Sequence, residues 1–137
     1  MEVTLGLMAD AANISREGKL NVLGAFNRIN AITFPTRHPE FTLVLRMEAS
    51  PAERGERKAI LLRLLDADGQ QVQQIEAHAE IPTDTGRLGF RSYVLLAIRN
   101  MVVSAPGEYA FHVLINGEEK RVIRFEVTEV ASERPNG

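Results

Sequence analysis

The sequence predicts an all-β domain, an antiparallel two-sheet sandwich of about seven to nine strands. Three observations predict it. Apolar and polar residues alternate with a period of two along most of the chain, turn residues interrupt that alternation at short intervals, and no long stretch holds a helical stripe.

Val3, Leu5 and Leu7 alternate at the start. Asn13 to Gly18 reads as a turn, and Leu20 to Ile32 as one long or bulged strand with Gly24 as its bend. The weakest strand signal lies at Asp10 to Arg16, where a helix is the alternative. The segment from Phe34 to Pro39 is read as a loop, with His38 on the surface.

Phe41, Leu43, Leu45 and Met47 then alternate with Thr42, Val44, Arg46 and Glu48, the clearest strand of the chain. Pro51 to Gly55 is a loop. Lys58 to Asp66 returns with Ile60, Leu62 and Leu64 on one side, and Asp66-Ala67-Asp68-Gly69 is a hairpin turn in which Gly69 supplies positive φ. Ile75, Ala77, Ala79 and Ile81 face inward on the next strand, and Glu76, His78 and Glu80 outward.

Thr83 to Gly89 reads as a polar loop, and Tyr93 to Ile98 is apolar on both faces, as in a strand that is central or covered by another chain. Tyr109, Phe111, Val113 and Ile115 run into Asn116-Gly117, a strong hairpin signal, and Ile123, Phe125 and Val127 return from it. Residues 1–130 form one expected domain, with 131–137 a flexible tail.

Composition narrows function mainly by exclusion. The chain has 137 residues, 45% hydrophobic and 25% charged, close to an average globular protein. A net charge of -2 gives no long-range attraction to nucleic acid. With no cysteine there is no disulfide, thiolate metal site or Cys nucleophile. The start carries Glu2 where a secretory signal has Lys or Arg, and no run reaches the roughly 20 apolar residues that span a bilayer. A cytoplasmic location without membrane contact is the expectation.

Pro106-Gly107-Glu108-Tyr109-Ala110-Phe111-His112-Val113 resembles the penultimate strand of immunoglobulin-like Greek-key sandwiches. The resemblance implies that Tyr109 bonds back to the backbone at a sheet corner. The chain departs from antibody-type members in having neither the Cys pair nor a Trp.

A broader likeness covers Ala9 to Asn13, Gly18 to Phe26, Phe34-Pro35 with His38-Pro39, and the Tyr109 to Glu118 hairpin. Together these resemble a family of small bacterial proteins known only as a domain of unknown function. That resemblance transfers no catalytic residue.

Glu76, His78 and Glu80 share one strand face, and His112 would complete a metal-like cluster if its strand lay alongside. A solvated, mixed-charge strand face is the far commoner origin of such a pattern. Asp66 to Gly69 lacks the bidentate Glu of a calcium loop, since Ala77 stands in its place. Gly86 and Gly89 are not followed by the Lys-Ser or Lys-Thr of a phosphate loop.

Asp10, Asn13, Ser15 and Arg16 crowd one turn with small residues, as in a recognition loop, although such side chains ordinarily satisfy turn backbone. The expectation is a non-catalytic binding or assembly module without a cofactor, whose partner is a protein or a second copy. Its candidate surface is Tyr93, Leu95 and Ala97 with Asp10, Asn13 and Arg16. The alternative is a small metal-dependent or hydrolytic enzyme using Glu76, His78, Glu80 and His112. A sugar module ranks lower, since there is no Trp and most of the two Tyr and six Phe fall on apolar strand faces.

Overall fold

The computed structural model describes residues 1–84, 87 and 89–131. Thr85, Gly86 and Leu88 of the expected polar loop, and all but Ala131 of the expected tail, lie outside the described residues. The strands are β1 (Glu2–Ile14), β2 (Leu20–Phe26), β3 (Arg28–Ala31), β4 (Thr36–His38), β5 (Phe41–Ala49), β6 (Arg57–Leu65), β7 (Gln71–Glu80), β8 (Phe90–Ile98), β9 (Met101–Val103), β10 (Gly107–Ile115) and β11 (Glu118–Glu129). They form a four-stranded sheet ordered β2-β1-β5-β8, a five-stranded sheet ordered β3-β11-β10-β6-β7, and a small β4-β9 pair.

The order β1-β5-β8 facing β11-β10-β6-β7 is the Greek-key arrangement of an immunoglobulin-like sandwich whose second sheet carries one extra edge strand. Period-two alternation creates its core. Phe41, Leu43, Leu45 and Met47 of β5 are 0–1% exposed and meet Leu62, Leu64, Phe111, Val113 and Phe125 from the other sheet. Each such side chain contributes roughly 1.5–3 kcal/mol by leaving water. Between the sheets Gly6 faces Ile123, and a Cβ at Gly6 would fall 2.7 Å from that side chain. A larger residue there would wedge the layers apart.

Tyr109 donates its hydroxyl to the Ala105 carbonyl at 2.6 Å. This is the corner bond that the immunoglobulin-like resemblance implied, on the strand where such sandwiches place it. The hairpin turns also follow their residues: Asn116 and Gly117 have φ of 50° and 82°, as a two-residue turn of that hand requires. Asp66 Oδ1 accepts the amides of Asp68 and Gln70 at 3.0 and 2.9 Å, and Gly69 takes a φ of +81°.

Four expectations need correction. First, Asp10 to Arg16 is not helical: β1 runs to Ile14, and the turn is confined to Ser15–Gly18, closed by the Gly18 amide on the Ser15 carbonyl at 2.9 Å. Cross-strand pairing with β2 supplies bonds that a short local helix would have to form alone. Second, Leu20 to Ile32 is two strands. The chain changes sheets at Asn27, whose carbonyl accepts the Glu126 amide, and β3 then runs parallel to β11.

Third, the segment from Phe34 to Pro39 contains β4, paired with β9. His38 is half-buried, with ring centroids 5.7 Å from Phe26 and 5.4 Å from Phe41. The split strand and this small pair bring the described strands to eleven rather than seven to nine. Fourth, β8 is not central; it is the edge of its sheet.

Candidate functional site

β1 pairs with β5 from Glu2 to Ala9 and then leaves it, continuing as a two-stranded ribbon with β2. Ile14 and Gly18 from the ribbon tip line a cleft of about 390 Å³ with Arg46, Arg91, Ser92 and Tyr93. Arg46 lies level with Leu5 in the sheet, and Ile14 is nine residues further along β1. An extended strand would carry Ile14 about 30 Å beyond that level. The ribbon therefore curls back over the outer face of β5 and β8. Val44, on that outer face between Leu7 and Leu95, is accordingly 0% exposed.

The six candidate surface residues fall into separate settings. Tyr93, Leu95 and Ala97 point away from the core beside Arg46, Val44 and Thr42, while Val94 and Leu96 pack inward. Tyr93 meets the ribbon tip, and Arg16 is exposed in the turn at that tip. Asn13 accepts a hydrogen bond from Asn21 Nδ2 at 2.9 Å across the ribbon.

Asp10 belongs to a different cleft, of about 530 Å³, with Gly24, Phe26, Arg28, Asn30 and His38. Its carboxylate lies against the α-carbon of Gly24, where a Cβ would be 2.3 Å from Oδ2. Gly24 has φ of +69°, so glycine serves both the backbone and the close approach. Burial among Phe26 and Phe41 lowers the His38 pKa, and the Asp10 charge offsets part of that fall.

The alternative enzymatic cluster does not assemble around His112. Glu76, His78 and Glu80 are exposed on β7, and His78 pairs with Ala59. Ala59 in turn bonds Asn116, not His112, which sits further along β10 and pairs through its Nδ1 with Glu119. Among the described residues no group of three or more His, Cys, Asp or Glu is placed to hold a metal ion.

Several other charges are engaged in pairs. Glu53 meets the Met1 ammonium and Lys58 Nζ, the latter at 2.9 Å, and Arg91 meets Glu48 at 2.8 Å. Burial would raise the Glu53 pKa, but its bonds to the ammonium, to Lys58 and to the Ser50 amide outweigh that and lower it to about 2.

The sequence did not single out the ribbon's own apolar surface. Leu23 is 71% exposed, and Ile14 and Val22 are exposed beside it. A period-two pattern marks them as strand residues, and nothing local indicates that the strand will leave the body of its sheet.

The chain belongs to the family described as a family of unknown function (DUF6941), whose model matches residues 4–128. No curated protein matches the chain significantly. The solved structures that resemble it include two of low identity. One is an alkylpurine DNA glycosylase of Pseudomonas fluorescens bound to DNA containing an abasic site analog, with a TM-score of 0.48 and 16% identity over 74% of this chain and 28% of that one. The other is an immunoglobulin-like protein of Pseudomonas aeruginosa, with a TM-score of 0.44 and 14% identity over 88% of this chain and 90% of that one. No helix among the described residues is long and apolar enough to cross a membrane.

Proposed function

We propose that this protein is a non-catalytic binding or assembly module that engages a protein partner through the β1–β2 ribbon. The observation that carries the reading is the composition of that ribbon's free edge. Leu20 to Phe26 contains no charged residue, and Leu23 stands 71% exposed at its centre. Natural sheets ordinarily protect such an edge with charge, proline or a covering element, because its unpaired backbone groups accept another strand.

The pairing of Glu53, Glu48 and His112 supports the non-catalytic part, since a general base must be free to reach a substrate proton. The test compares immobilised wild-type protein with Leu23→Asp as bait in cell extract. Leu23 makes little use of the core, so the variant is expected to melt within about 0.5 kcal/mol of wild type. A partner retained by wild type and lost on Leu23→Asp supports the reading. Identical capture by both baits, or none by either, overturns it.

A further inference from the structure

We propose that the cleft under the ribbon tip binds a small organic anion, with Arg46 and Arg91 holding a carboxylate or phosphate group and Ile14 and Tyr93 holding its apolar body. The free edge at Leu23 takes no part, so this site and the partner surface above can each fail alone.

The first observation is an unbalanced charge. The register sets Arg46 beside Tyr93 and Arg91 beside Glu48, and alternate residues of β5 and β8 point the same way, so these four side chains share the outer face of the sheet. Glu48 Oε1 meets Arg91 Nε at 2.8 Å and Arg46 Nη2 at 3.5 Å. One carboxylate therefore faces two guanidinium groups, and one positive charge is left over. Glu2 stands opposite Glu48 on β1, but its own charge is met by Lys120 at 3.2 Å. At the ribbon tip Glu17 meets Lys19 at 3.9 Å, and Arg16 is exposed. Arg16, Lys19, Arg46 and Arg91 thus outnumber Glu17 and Glu48, in a chain whose net charge is -2.

Donors remain for a ligand. A guanidinium carries five N–H groups in a planar fork that matches two oxygens of a carboxylate or phosphate. Arg91 meets Glu48 through Nε, which leaves its two terminal nitrogens. The Arg46 contact is long, and a ligand oxygen at about 2.8 Å would be the stronger acceptor.

The second observation is enclosure. Ile14 and Gly18 form the ribbon side of the cleft, Arg46, Arg91, Ser92 and Tyr93 the sheet side, and neither side carries a carboxylate. The adjoining outer face is apolar: Leu5 flanks Arg46, and Leu7, Val44 and Leu95 make the next row. Walls of low polarity concentrate the field of the arginines on whatever enters. The volume of about 390 Å³ lies toward the lower end for ligand clefts, with room for a ring and one anionic group. Ile14 and the Tyr93 ring suit the body of such a ligand, and the Tyr93 hydroxyl adds a donor. A bare anion would leave both walls unused.

The test titrates phenyl phosphate, benzoate and inorganic phosphate into the protein at low salt, with calorimetry for affinity and amide shifts for location. Phenyl phosphate is expected to bind at least about ten-fold more tightly than inorganic phosphate, because its ring leaves water. The shifts are expected at Gly18, Arg91 and Tyr93. Tighter binding of phenyl phosphate than of benzoate assigns a phosphate head group, and the reverse order a carboxylate; both support the site.

Arg91→Gln should weaken phenyl phosphate at least about ten-fold. Glu48→Gln removes the competing carboxylate and should strengthen it at least about three-fold, a gain that a merely structural ion pair would not give. Both are surface changes expected to melt close to wild type. Should Arg91→Gln fail to fold, the Glu48→Gln comparison still decides.

No binding of phenyl phosphate or benzoate at millimolar concentration overturns the proposal. So do shifts centred elsewhere, inorganic phosphate binding as tightly as phenyl phosphate, and affinity unchanged by Arg91→Gln or not raised by Glu48→Gln.

Discussion

Gly69 and Gly89 offer a paired perturbation that separates backbone strain from steric contact. Both have a φ of +81°. A Cβ at Gly69 would meet nothing within 4 Å, whereas one at Gly89 would fall 2.3 Å from the Ala49 carbonyl oxygen. Gly69→Ala therefore incurs only the left-handed strain, about 1–2 kcal/mol. Gly89→Ala incurs the same strain and must also move backbone by about 1 Å, since the obstructing atom is not a flexible side-chain end.

That atom belongs to a residue 5% exposed and paired with Phe90 at the end of the β5–β8 ladder. Overpacking costs about 1–3 kcal/mol, and a disturbed ladder bond about 1 kcal/mol more. The total for Gly89→Ala is about 3–6 kcal/mol. The loss of unfolded-state freedom is the same for both substitutions and cancels in their difference. Urea melts of the two variants should differ by about 3 kcal/mol, or roughly 10 °C in Tm. Equal destabilisation, within about 0.5 kcal/mol, would refute the close approach of Gly89 to the β5 backbone.

Tyr109→Phe removes the corner bond to Ala105 and leaves the carbonyl short of a partner, so a loss of about 1–2 kcal/mol in chemical denaturation is expected, and none would remove the corner from the stability argument. Leu62→Ala, at a site 1% exposed between the sheets, should cost about 3–4 kcal/mol by calorimetry, far more than the same change at the exposed Leu23. Glu53 has a lowered folded pKa, so its contribution is complete above the unfolded value near 4.5 and is lost as the pH falls toward about 2. The ceiling is about 3 kcal/mol, reduced to about 1 kcal/mol by solvent screening around this partly wetted cluster. Melting curves of wild type and Glu53→Gln should converge across that interval, and parallel curves would contradict the assignment.

The sequence by itself determined the class of fold, the hairpin turns and most of the core. Alternation with period two admits only extended, paired backbone, and Asn116-Gly117 and Asp66 to Gly69 act through their own φ angles and side chains. The Tyr109 corner was legible only through the resemblance of Pro106 to Val113 to immunoglobulin-like sandwiches. The split at Asn27, the burial of His38 and the departure of the ribbon were not legible, because each depends on a strand that is distant in the chain: β11 draws β3 into the other sheet, Phe26 and Phe41 enclose His38, and β5 ends at Phe41 where β1 continues. The apparent surface of Tyr93, Leu95, Ala97, Asp10, Asn13 and Arg16 was likewise divided by tertiary structure. Neighbours in a pattern share a face only while their strand stays in one sheet, and the exposed edge at Leu23 exists because β1 outruns its partner.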